Sequence, residues 1–591
     1  MKPGEPPSRI GGRVALVILA AALLFSAFVR CRLREMPLER DEGGMAYIGQ
    51  LILDGTPPYQ DTYHEKLPGI YLAYAAMMAV FGESASGIHL GLMVVNLATI
   101  ILVFLLARDM FDALAGGIAA AAYALFAVSP SVFGTAAHAT HFVALFGVAG
   151  AWVLWRALRA EKKLLLFLSG LLFGMAPLMK QHGVFLSAFG AFTVLVHYVR
   201  LRPFAWRKAT EGLAVFAAGM VLPYAAICLW LWWAGVFDRF WFWTFTYSRN
   251  HVSEISLPAG AACFRQQLAY VAAPNWPLWI VALVGVPVVV WAKEARRARW
   301  FLLSFATFAF LAVCPGFFFR NHYFIVWLPA VAIFCGAGGS WLLCLARAWP
   351  PRDQRVARAG QQPRNTARRG GENSRGGKAK TAEAAAVAPG ILLWPAATML
   401  LAAAAFGLWR QREFFLLCTP TRAAQVIYAR NPFVESVAIA DYLRRHTTPN
   451  QRLAVIGSEP QIYFYAKRKA ATGHIYAYPL VERQPFARQL QEEMRREIEA
   501  AKPEFIVFVC MDLSWLADPD CSRFVYEWAG RYVEKYYRPM GLADIVSPTE
   551  TDYCWGEQAA QAHPRSSQYV WVFQRKAARR NWPTRATVPT P

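Results

Sequence analysis

Apolar segments long enough to cross a lipid bilayer recur along most of this chain. A transmembrane helix needs about 20 mainly apolar residues, and about eleven runs approach that length. In lipid, the backbone polar groups of each segment must be satisfied internally, which helices achieve. The pattern therefore predicts a polytopic α-helical membrane protein. The predicted spans lie roughly at residues 14–29, 86–107, 114–133, 139–157, 164–180, 183–200, 210–234, 276–292, 300–316, 323–346 and 389–409.

The composition agrees with a membrane location. Of the 591 residues, 56% are hydrophobic and only 17% are charged, whereas soluble domains carry about 25% charged residues. The net charge of +23 comes largely from Lys and Arg in connections between apolar runs, as expected of cytoplasmic loops. A nucleic-acid partner is therefore unnecessary. The ten cysteines include no C-x-x-C pair, which disfavours a metal or redox site.

The basic connections predict which side of the membrane each loop occupies. They are Arg156–Lys163, Arg200–Lys208, Lys293–Arg299 and the long Arg347–Lys380 linker, and they alternate with connections poor in Lys and Arg. With an uncleaved first span and a cytoplasmic N-terminus, all of them fall in the cytoplasm. The segment 347–387 is rich in Arg, Gly, Gln and Pro, so we expect a disordered cytoplasmic loop. The protein is placed in the cytoplasmic (inner) membrane.

The segment Leu67–Gly82 is important for the topology, because counting it as a full span would reverse the membrane side of every later loop. It is short for a span and begins near Pro68 and Gly69, so we interpret it as an interfacial or re-entrant helix on the outer face. Residues 31–85 then form one large external loop, which belongs to a membrane domain comprising residues 1–409.

From about residue 410 the chain has the composition of a soluble domain. A charged helix is predicted at 485–501, and residues 410–591 are expected to form a small periplasmic α/β domain. The segment 457–460, which follows the first strand, is either a plain turn or a ligand-binding strand end. The predicted strands are Leu453–Gly457, Phe505–Cys510 and Tyr569–Gln574.

Polar and charged residues cluster at the external ends of several spans, where they can meet at one membrane surface. Ordinary interfacial anchoring by Arg, Lys and Tyr is the alternative explanation for each cluster. It explains the acidic pair least well, because carboxylates near lipid are costly. The candidates are Asp41 and Glu42; Tyr63, His64, Glu65 and Lys66; Lys180; Arg249 and His251; and Arg320, His322 and Tyr323.

A carboxylate surrounded by cations suits the transfer of a group away from a phosphate. The carboxylate can accept the proton of an acceptor hydroxyl as general base, while Lys and Arg neutralise the departing phosphate. These residues therefore predict attack on a phosphate-linked sugar, with Asp41 and Glu42 as the catalytic carboxylates.

The first external loop resembles that of a known family. It reads ERDEGGMAYIGQLILDGTPPYQDTYHEKLPGIYLAYAAMMAVFGES, with an acidic D-E motif, a Pro/Tyr-containing turn, an E-K-P element and a juxtamembrane helix. This order is similar to that of the GT-C glycosyltransferases related to dolichyl-phosphate-mannose protein mannosyltransferase and to the bacterial aminoarabinose transferase of lipid A. The later segments RNHYFIVWLPA and VIGSEPQIYFYAKRKAATG also resemble elements of bacterial members.

The resemblance implies a GT-C-like fold and an inverting transfer of a hexose or pentose from a polyprenyl-phosphate donor. The acceptor would be a lipid, a glycan or a protein at the outer face. Asp41 matches the family's catalytic aspartate, and Glu65 and Lys66 match residues around the carrier phosphate. Arg249 and Arg320 are expected to assist phosphate binding. No nucleotide, metal or other cofactor is expected at the site.

Two departures from the family pattern restrict the inference. Gly44 and Met45 stand where the aminoarabinose branch has an Arg-Tyr pair, so the substrate of that branch is not implied. His138 and His141 stand where members often have an acidic residue, and they are either cavity residues or helix-packing residues. A transporter or flippase of a lipid-linked sugar is the alternative function, although transporters tend to place ionisable groups near the bilayer midplane.

Overall fold

The chain folds into a bundle of membrane helices followed by a region built on one sheet. The computed structural model describes residues 9–200, 206–250, 255–348 and 393–576, and the basic segment expected at 347–387 falls outside them after Ala348. Within these ranges, eight helices are long and apolar enough to cross a membrane, and four shorter apolar helices accompany them. The helices of this part are α1 (Arg9–Arg32), α2 (Arg40–Leu53), α3 (Gly69–Phe81), α4 (Ala85–Met110), α5 (Ala113–Ala127), α6 (Ala139–Ala160), α7 (Lys163–Met179), α8 (Val184–Val199), α9 (Trp206–Trp233), α10 (Phe237–Trp241), α11 (Ser248–Asn250), α12 (Leu257–Ala272), α13 (Trp276–Trp291), α14 (Arg299–Leu311), α15 (Leu328–Ala348) and α16 (Leu393–Arg410).

These helices confirm the predicted fold class. Each apolar run that predicts a span contains a helix, and the runs near 114–133, 164–180 and 300–316 form the shorter helices α5, α7 and α14. The chain is a multi-pass membrane protein. Helix α12 is additional, because the polar stretch 265–267 at its centre interrupts the apolar pattern that reveals the other helices.

The first loop, residues 31–85, which the sequence predicts to be external, contains two helices. The short helix expected over 67–82 is present as α3, which begins directly after Pro68. Helix α2 has no counterpart among the predicted elements. It contains three glycines, each of which is unfavourable in a helix by about 1 kcal/mol relative to Ala. Tertiary contacts therefore stabilise α2 more than its local sequence does.

The C-terminal region contains one five-stranded sheet, in which the first two strands are parallel and the other neighbours are antiparallel. The strands are β1 (Leu453–Ile456), β2 (Phe505–Cys510), β3 (Tyr537–Ser547), β4 (Glu550–Trp555) and β5 (Tyr569–Arg575), in the order β1-β2-β5-β3-β4. The helices are α17 (Pro420–Tyr428), α18 (Phe433–Arg445), α19 (Gln461–Ala466), α20 (Tyr478–Val481), α21 (Ala487–Ala501), α22 (Asp512–Trp515) and α23 (Phe524–Tyr536). Strands β1, β2 and β5 and helix α21 lie at predicted positions. Strand β4 has no fully buried residue, which explains why its sequence lacks an apolar run.

Helix α2 packs directly against the C-terminal region. A Cβ at Gly43 would lie 2.4 Å from the Cβ of Gln461, and one at Gly44 would lie 1.8 Å from the hydroxyl of Tyr476. The hydroxyl of Tyr47 accepts a hydrogen bond from the N–H of Ala470 at 2.7 Å. The glycines thus allow the close approach that joins the first loop to the sheet region.

Candidate active site

Five chain segments meet on one side of the helix bundle. They are the start of α2, the loop before α3, the start of α6, the turn after α7 and the segment between α14 and α15. These segments bring together Asp41, Lys66, His138, Lys180 and His322.

The first turn of α2 fixes the position of Asp41. Glu39 caps the helix, since its carboxylate accepts a hydrogen bond from the N–H of Glu42 at 2.9 Å. The Glu42 carboxylate in turn accepts one from the N–H of Glu39 at 3.2 Å. This reciprocal pair satisfies two N–H groups that a helix start leaves unpaired. Asp41 lies in the same turn, where the helix dipole favours a negative charge.

The central contact of the site is an ion pair between Asp41 and Lys66. Lys66 Nζ lies 3.0 Å from Asp41 Oδ2, and the Asp41 side chain is 34% exposed whereas that of Lys66 is 9% exposed. Burial alone would raise the pKa of Asp41, but Lys66, followed by His138 and His64, outweighs it and holds that pKa below its usual range. Burial also opposes the charge of Lys66, yet Asp41 and Glu65 raise the pKa of that ammonium group. Both groups are charged at neutral pH, and the carboxylate remains accessible.

Backbone contacts hold the loop that carries Lys66. Its carbonyl oxygen accepts hydrogen bonds from the hydroxyl groups of Tyr59 at 2.6 Å and Tyr71 at 3.2 Å. The carbonyl oxygen of Glu65 accepts one from Gln181 Nε2 at 2.7 Å. The loop is therefore fixed without use of the Lys66 ammonium group.

His64 and Glu65 differ in charge and exposure. His64 is buried, with Nδ1 2.6 Å from the hydroxyl of Tyr71 and its ring stacked on Tyr476 at 4.7 Å. Burial lowers the pKa of His64 to about 4, so its imidazole is neutral at pH 7. The side chain of Glu65 is 38% exposed. Burial opposes its charge, but His64 and Lys66 lower the pKa of Glu65, so it is an accessible anion.

A second lysine approaches from the turn after α7. Lys180 is buried, and its Nζ lies 3.9 Å from the centroid of the Tyr323 ring. Burial, followed by repulsion from Lys66, lowers the pKa of Lys180 to about 7. An anion bound beside both lysines would favour the protonated form of Lys180.

His138 and His322 form a stack beside Asp41. Their ring centroids are 4.2 Å apart with an angle of 11° between the planes, and His138 Nδ1 lies 3.7 Å from Glu39 Oε1. Burial lowers the pKa of His138 to about 4 and that of His322 well below its usual value, so both rings are neutral. His138 therefore lines the site, whereas His141 is buried within α6.

Donor atoms of Asp41, His138 and His322 lie within 4.8 Å of one another. The arrangement nevertheless does not suit a metal ion. The lone pair of an imidazole nitrogen lies in the plane of its ring, and two nearly parallel stacked rings share no nearby point in both planes. Asp41 is also paired with Lys66. We assign no chemical step to a metal.

Glu42, predicted as a second catalytic carboxylate, is completely buried in the structure. Its carboxylate accepts hydrogen bonds from the N–H of Ala137 at 2.5 Å and from His89 Nε2 at 3.1 Å, in addition to the N–H of Glu39. A carboxylate enclosed in this way does not reach a substrate. Glu42 instead joins α2 to the start of α6 and to α4.

Four other predicted residues lie at the margin of the site or outside the described part. Tyr63 stacks on Trp243 at 5.7 Å and faces the C-terminal region. Arg320 is exposed and close enough to Lys180 to lower its pKa by repulsion. Arg249 is exposed in α11, and His251 lies outside the described residues.

A buried ion pair between Arg40 and Glu459 connects the site helix to the sheet region. Arg40 Nη2 lies 2.7 Å from Glu459 Oε1, and Arg40 Nε donates to the carbonyl oxygen of Ser458 at 2.8 Å. Glu459 also accepts a hydrogen bond from the hydroxyl of Ser514 at 2.6 Å. The turn after β1, for which the sequence allows either a plain turn or a ligand-binding strand end, thus contacts α2 through Arg40. The acid in this turn is visible in the sequence, but its partner is 419 positions away.

Residues 65–233 match the model of the family described as dolichyl-phosphate-mannose-protein mannosyltransferase. The matched stretch includes Lys66, His138 and Lys180 and begins after Asp41. No curated protein matches the chain.

The fold is similar to that of ArnT from Cupriavidus metallidurans. The apo crystal structure has a TM-score of 0.56 at 16% identity and covers 96% of this chain and 98% of that chain. The crystal structure bound to undecaprenyl phosphate has a TM-score of 0.54 at 16% identity, with coverage of 84% and 93%. The archaeal oligosaccharyltransferase AglB from Archaeoglobus fulgidus, in complex with an inhibitory peptide and a dolichol-phosphate, has a TM-score of 0.49 at 15% identity, with coverage of 93% and 75%. The similarity to the two ArnT structures shows that the chain has their multi-pass membrane fold, in agreement with the GT-C-like fold that its first loop implies.

Proposed function

We propose that the protein is a glycosyltransferase that moves a sugar from a polyprenyl-phosphate donor to an acceptor at the outer face of the cytoplasmic membrane. The observation that supports this most is the accessible Asp41 carboxylate paired with Lys66 beside a second buried lysine. ArnT, whose fold the chain shares, binds undecaprenyl phosphate in one of its structures. The transferred sugar is a hexose or pentose, and the acceptor is a hydroxyl group of a lipid, a glycan or a protein.

Asp41 acts as the general base in a single displacement. The acceptor oxygen forms a bond to the anomeric carbon while the bond from that carbon to the phosphate oxygen breaks. The acceptor proton moves to Asp41, and the polyprenyl phosphate leaves with the bonding electron pair. One displacement inverts the configuration at the anomeric carbon.

Lys66 links donor binding to the strength of this base. In the donor-free site, Lys66 holds the pKa of Asp41 low, which makes the carboxylate a weak base. A phosphate bound between Lys66 and Lys180 shares the Lys66 ammonium group and raises the basicity of Asp41. Since a general base is most effective when its pKa is near the working pH, donor binding prepares the site for proton transfer.

The residues around Asp41 bind different parts of the donor. Lys66 and Lys180 neutralise the phosphate, with Arg320 and Arg249 at the margin attracting the anionic group. Glu65 is itself an anion, so it suits hydroxyl groups of the sugar better than the phosphate. The neutral rings of His64 and His322, together with Tyr323, supply polar and stacking surfaces for the sugar. Tyr63 is not assigned to the donor site, because its hydroxyl donates a hydrogen bond to Glu497 Oε1 in the C-terminal region.

The site faces the outside of the cell in this proposal. Basic residues gather at the ends of α6 and α8 and at the start of α14, on the side of the bundle opposite Asp41. The positive-inside rule places that side in the cytoplasm. The N-terminus is then cytoplasmic, and the sheet region that contacts α2 is periplasmic.

A transfer assay tests the proposal. Purified protein in liposomes receives an undecaprenyl-phosphate sugar and an acceptor, and we expect release of undecaprenyl phosphate together with a glycosylated acceptor. Asp41→Asn should lower kcat/KM by about 10²–10⁴-fold, the usual contribution of a general base. Asp54→Asn, the same change at the exposed C-cap of the same helix, is the matched control and should retain activity. Undiminished transfer by Asp41→Asn would refute the assigned base, and carrier movement without transfer would favour a transporter.

A further inference from the structure

A cavity of about 750 Å³ opens on the basic side of the helix bundle, at the opposite end from Asp41. It lies between the last turns of α6 and α8 and the first turns of α14. Apolar side chains form most of its wall, and they include the aromatic rings of Trp155, Phe192, Trp300 and Phe308. From Trp300 to Phe308 this wall extends about 12 Å along α14, at 1.5 Å per residue. The cavity is therefore a deep apolar space between membrane helices.

Three arginines surround the mouth of this cavity. Arg159 lies over the ring of Trp155 at 5.4 Å, and Arg200 lies over the ring of Trp300 at 5.3 Å, while Arg297 is the third. No Asp or Glu is among the residues that line the cavity. All three side chains are exposed.

The acids near the mouth do not form ion pairs with these arginines. Glu161 is close enough to interact electrostatically with His197 in the cavity lining, but it is not paired with any of the three arginines. The Asp109 carboxylate accepts hydrogen bonds from Arg108, Trp152 and Arg156. Arg159 reaches only the carbonyl oxygen of Asp109, at 3.4 Å. Across the described ranges, no ion pair with a carboxylate involves the three arginines at the mouth. The cavity thus combines an apolar interior with a mouth whose three arginines are not paired with carboxylates.

We propose that this cavity binds an anionic glycerophospholipid of the cytoplasmic leaflet. The guanidinium groups of Arg159, Arg200 and Arg297 bind its phosphate, which planar guanidinium groups recognise well. Its first methylene groups lie along Phe192 and Phe308. Basic pockets between membrane helices on the cytoplasmic side are suited to such head groups. A soluble anion would leave the aromatic wall unoccupied, and a zwitterionic lipid would bring an ammonium group against the arginines.

The site is separate from the donor site and does not depend on glycosyl transfer, and only the choice of leaflet rests on the orientation given in the proposed function. Native mass spectrometry of delipidated protein, titrated with phosphatidylglycerol or phosphatidylcholine, measures binding directly. We expect a clear preference of the wild type for phosphatidylglycerol. Arg200→Gln should weaken that binding by about fivefold, and the combined change of Arg159, Arg200 and Arg297 to Gln by about 100-fold.

A matched control removes the same number of charges from the same side of the protein. Arg207→Gln, Lys208→Gln and Arg296→Gln change exposed residues outside the cavity lining, so this triple variant should bind phosphatidylglycerol as the wild type does. An equal loss of phosphatidylglycerol binding in the control triple would show that binding depends only on overall charge, which would also overturn the proposal. Unchanged binding in the cavity triple, or equal binding of phosphatidylcholine by the wild type, would overturn the proposal.

A second measurement uses the wild type, so it does not depend on whether the variants fold. A phosphatidylglycerol with a photoreactive group near its glycerol should crosslink mainly within 192–200 and 297–308. Crosslinks spread over other lipid-facing helices, with none in these two segments, would contradict the assignment.

Discussion

Lys180 is the residue through which pH is expected to act on donor binding. Burial, Lys66 and Arg320 favour its neutral form, Asp41 and Glu65 favour its charged form, and the balance gives a pKa of about 7. Above that pH the donor-free protein loses the charge, so phosphate binding must take up a proton. The donor affinity should then fall by up to about tenfold per pH unit, seen as a rising KM.

The substitution Lys180→Arg separates this titration from other effects of pH. An arginine stays protonated at all relevant pH values, so the donor KM of this variant should vary little from about pH 6 to 9. We would measure the donor KM of both proteins across that range in the same liposomes. Identical profiles would show that another group controls the pH dependence.

At the scale of single residues, the sequence predicts the members of the site better than their roles. A sequence motif identifies Asp41 and Lys66, and in the structure Lys66 Nζ lies 3.0 Å from Asp41 Oδ2. The enclosure of Glu42 depends on the N–H of Ala137 and on His89, which are distant in the chain. The position of His138 beside His322 likewise requires the packing of α6 against the segment before α15. Burial decides these roles, and burial at a helix junction is not encoded in local spacing.

At the scale of elements, the approach of α2 to α19 gives a test of how the site is assembled. Gly43→Ala places a Cβ 2.4 Å from a side-chain atom of Gln461 and 2.7 Å from its backbone, which the helix can relieve only by moving. We expect this variant to lose most transfer activity and to expose the sheet region to limited proteolysis. Overpacking of this kind typically costs about 1–3 kcal/mol.

Gly12→Ala is the control for this prediction. A Cβ at Gly12 meets no atom within 4 Å, and the residue lies in α1 away from the site. This variant should match the wild type in both measurements. Wild-type activity and protease resistance in Gly43→Ala would show that the close contact between α2 and α19 is not needed.

The elements differ in how far the sequence predicts them. Apolar length alone predicts the spanning helices, because the bilayer sets that length. It misses α2, whose glycines lower its helix propensity, and α12, whose centre is polar. It also misses β4, because an exposed antiparallel edge strand needs no apolar run. It misses β3 as well, an inner strand in which Pro539, Gly541 and Asp544 interrupt the apolar pattern. Helix α2 in particular is stabilised by residues far away in the chain.

At the scale of the whole molecule, two opposite ends of the helix bundle carry different chemistry. One end holds Asp41, Lys66 and Lys180 under the sheet region, and the other holds the arginines around the aromatic cavity. The alternation of basic connections predicts this division, because each crossing of the membrane changes the side. The docking of the sheet region on α2 through Arg40 and Glu459 is a long-range contact that no alternation predicts.

The most direct test of the account is single-turnover transfer by protein loaded with donor before the acceptor is added. We predict that Asp41→Asn binds the undecaprenyl-phosphate sugar at least as well as the wild type, because Lys66 is freed to hold the phosphate. Its rate of transfer in the loaded complex should be lower by at least about 100-fold. Transfer at the wild-type rate, or a loss confined to donor binding, would contradict the role of Asp41 as the base.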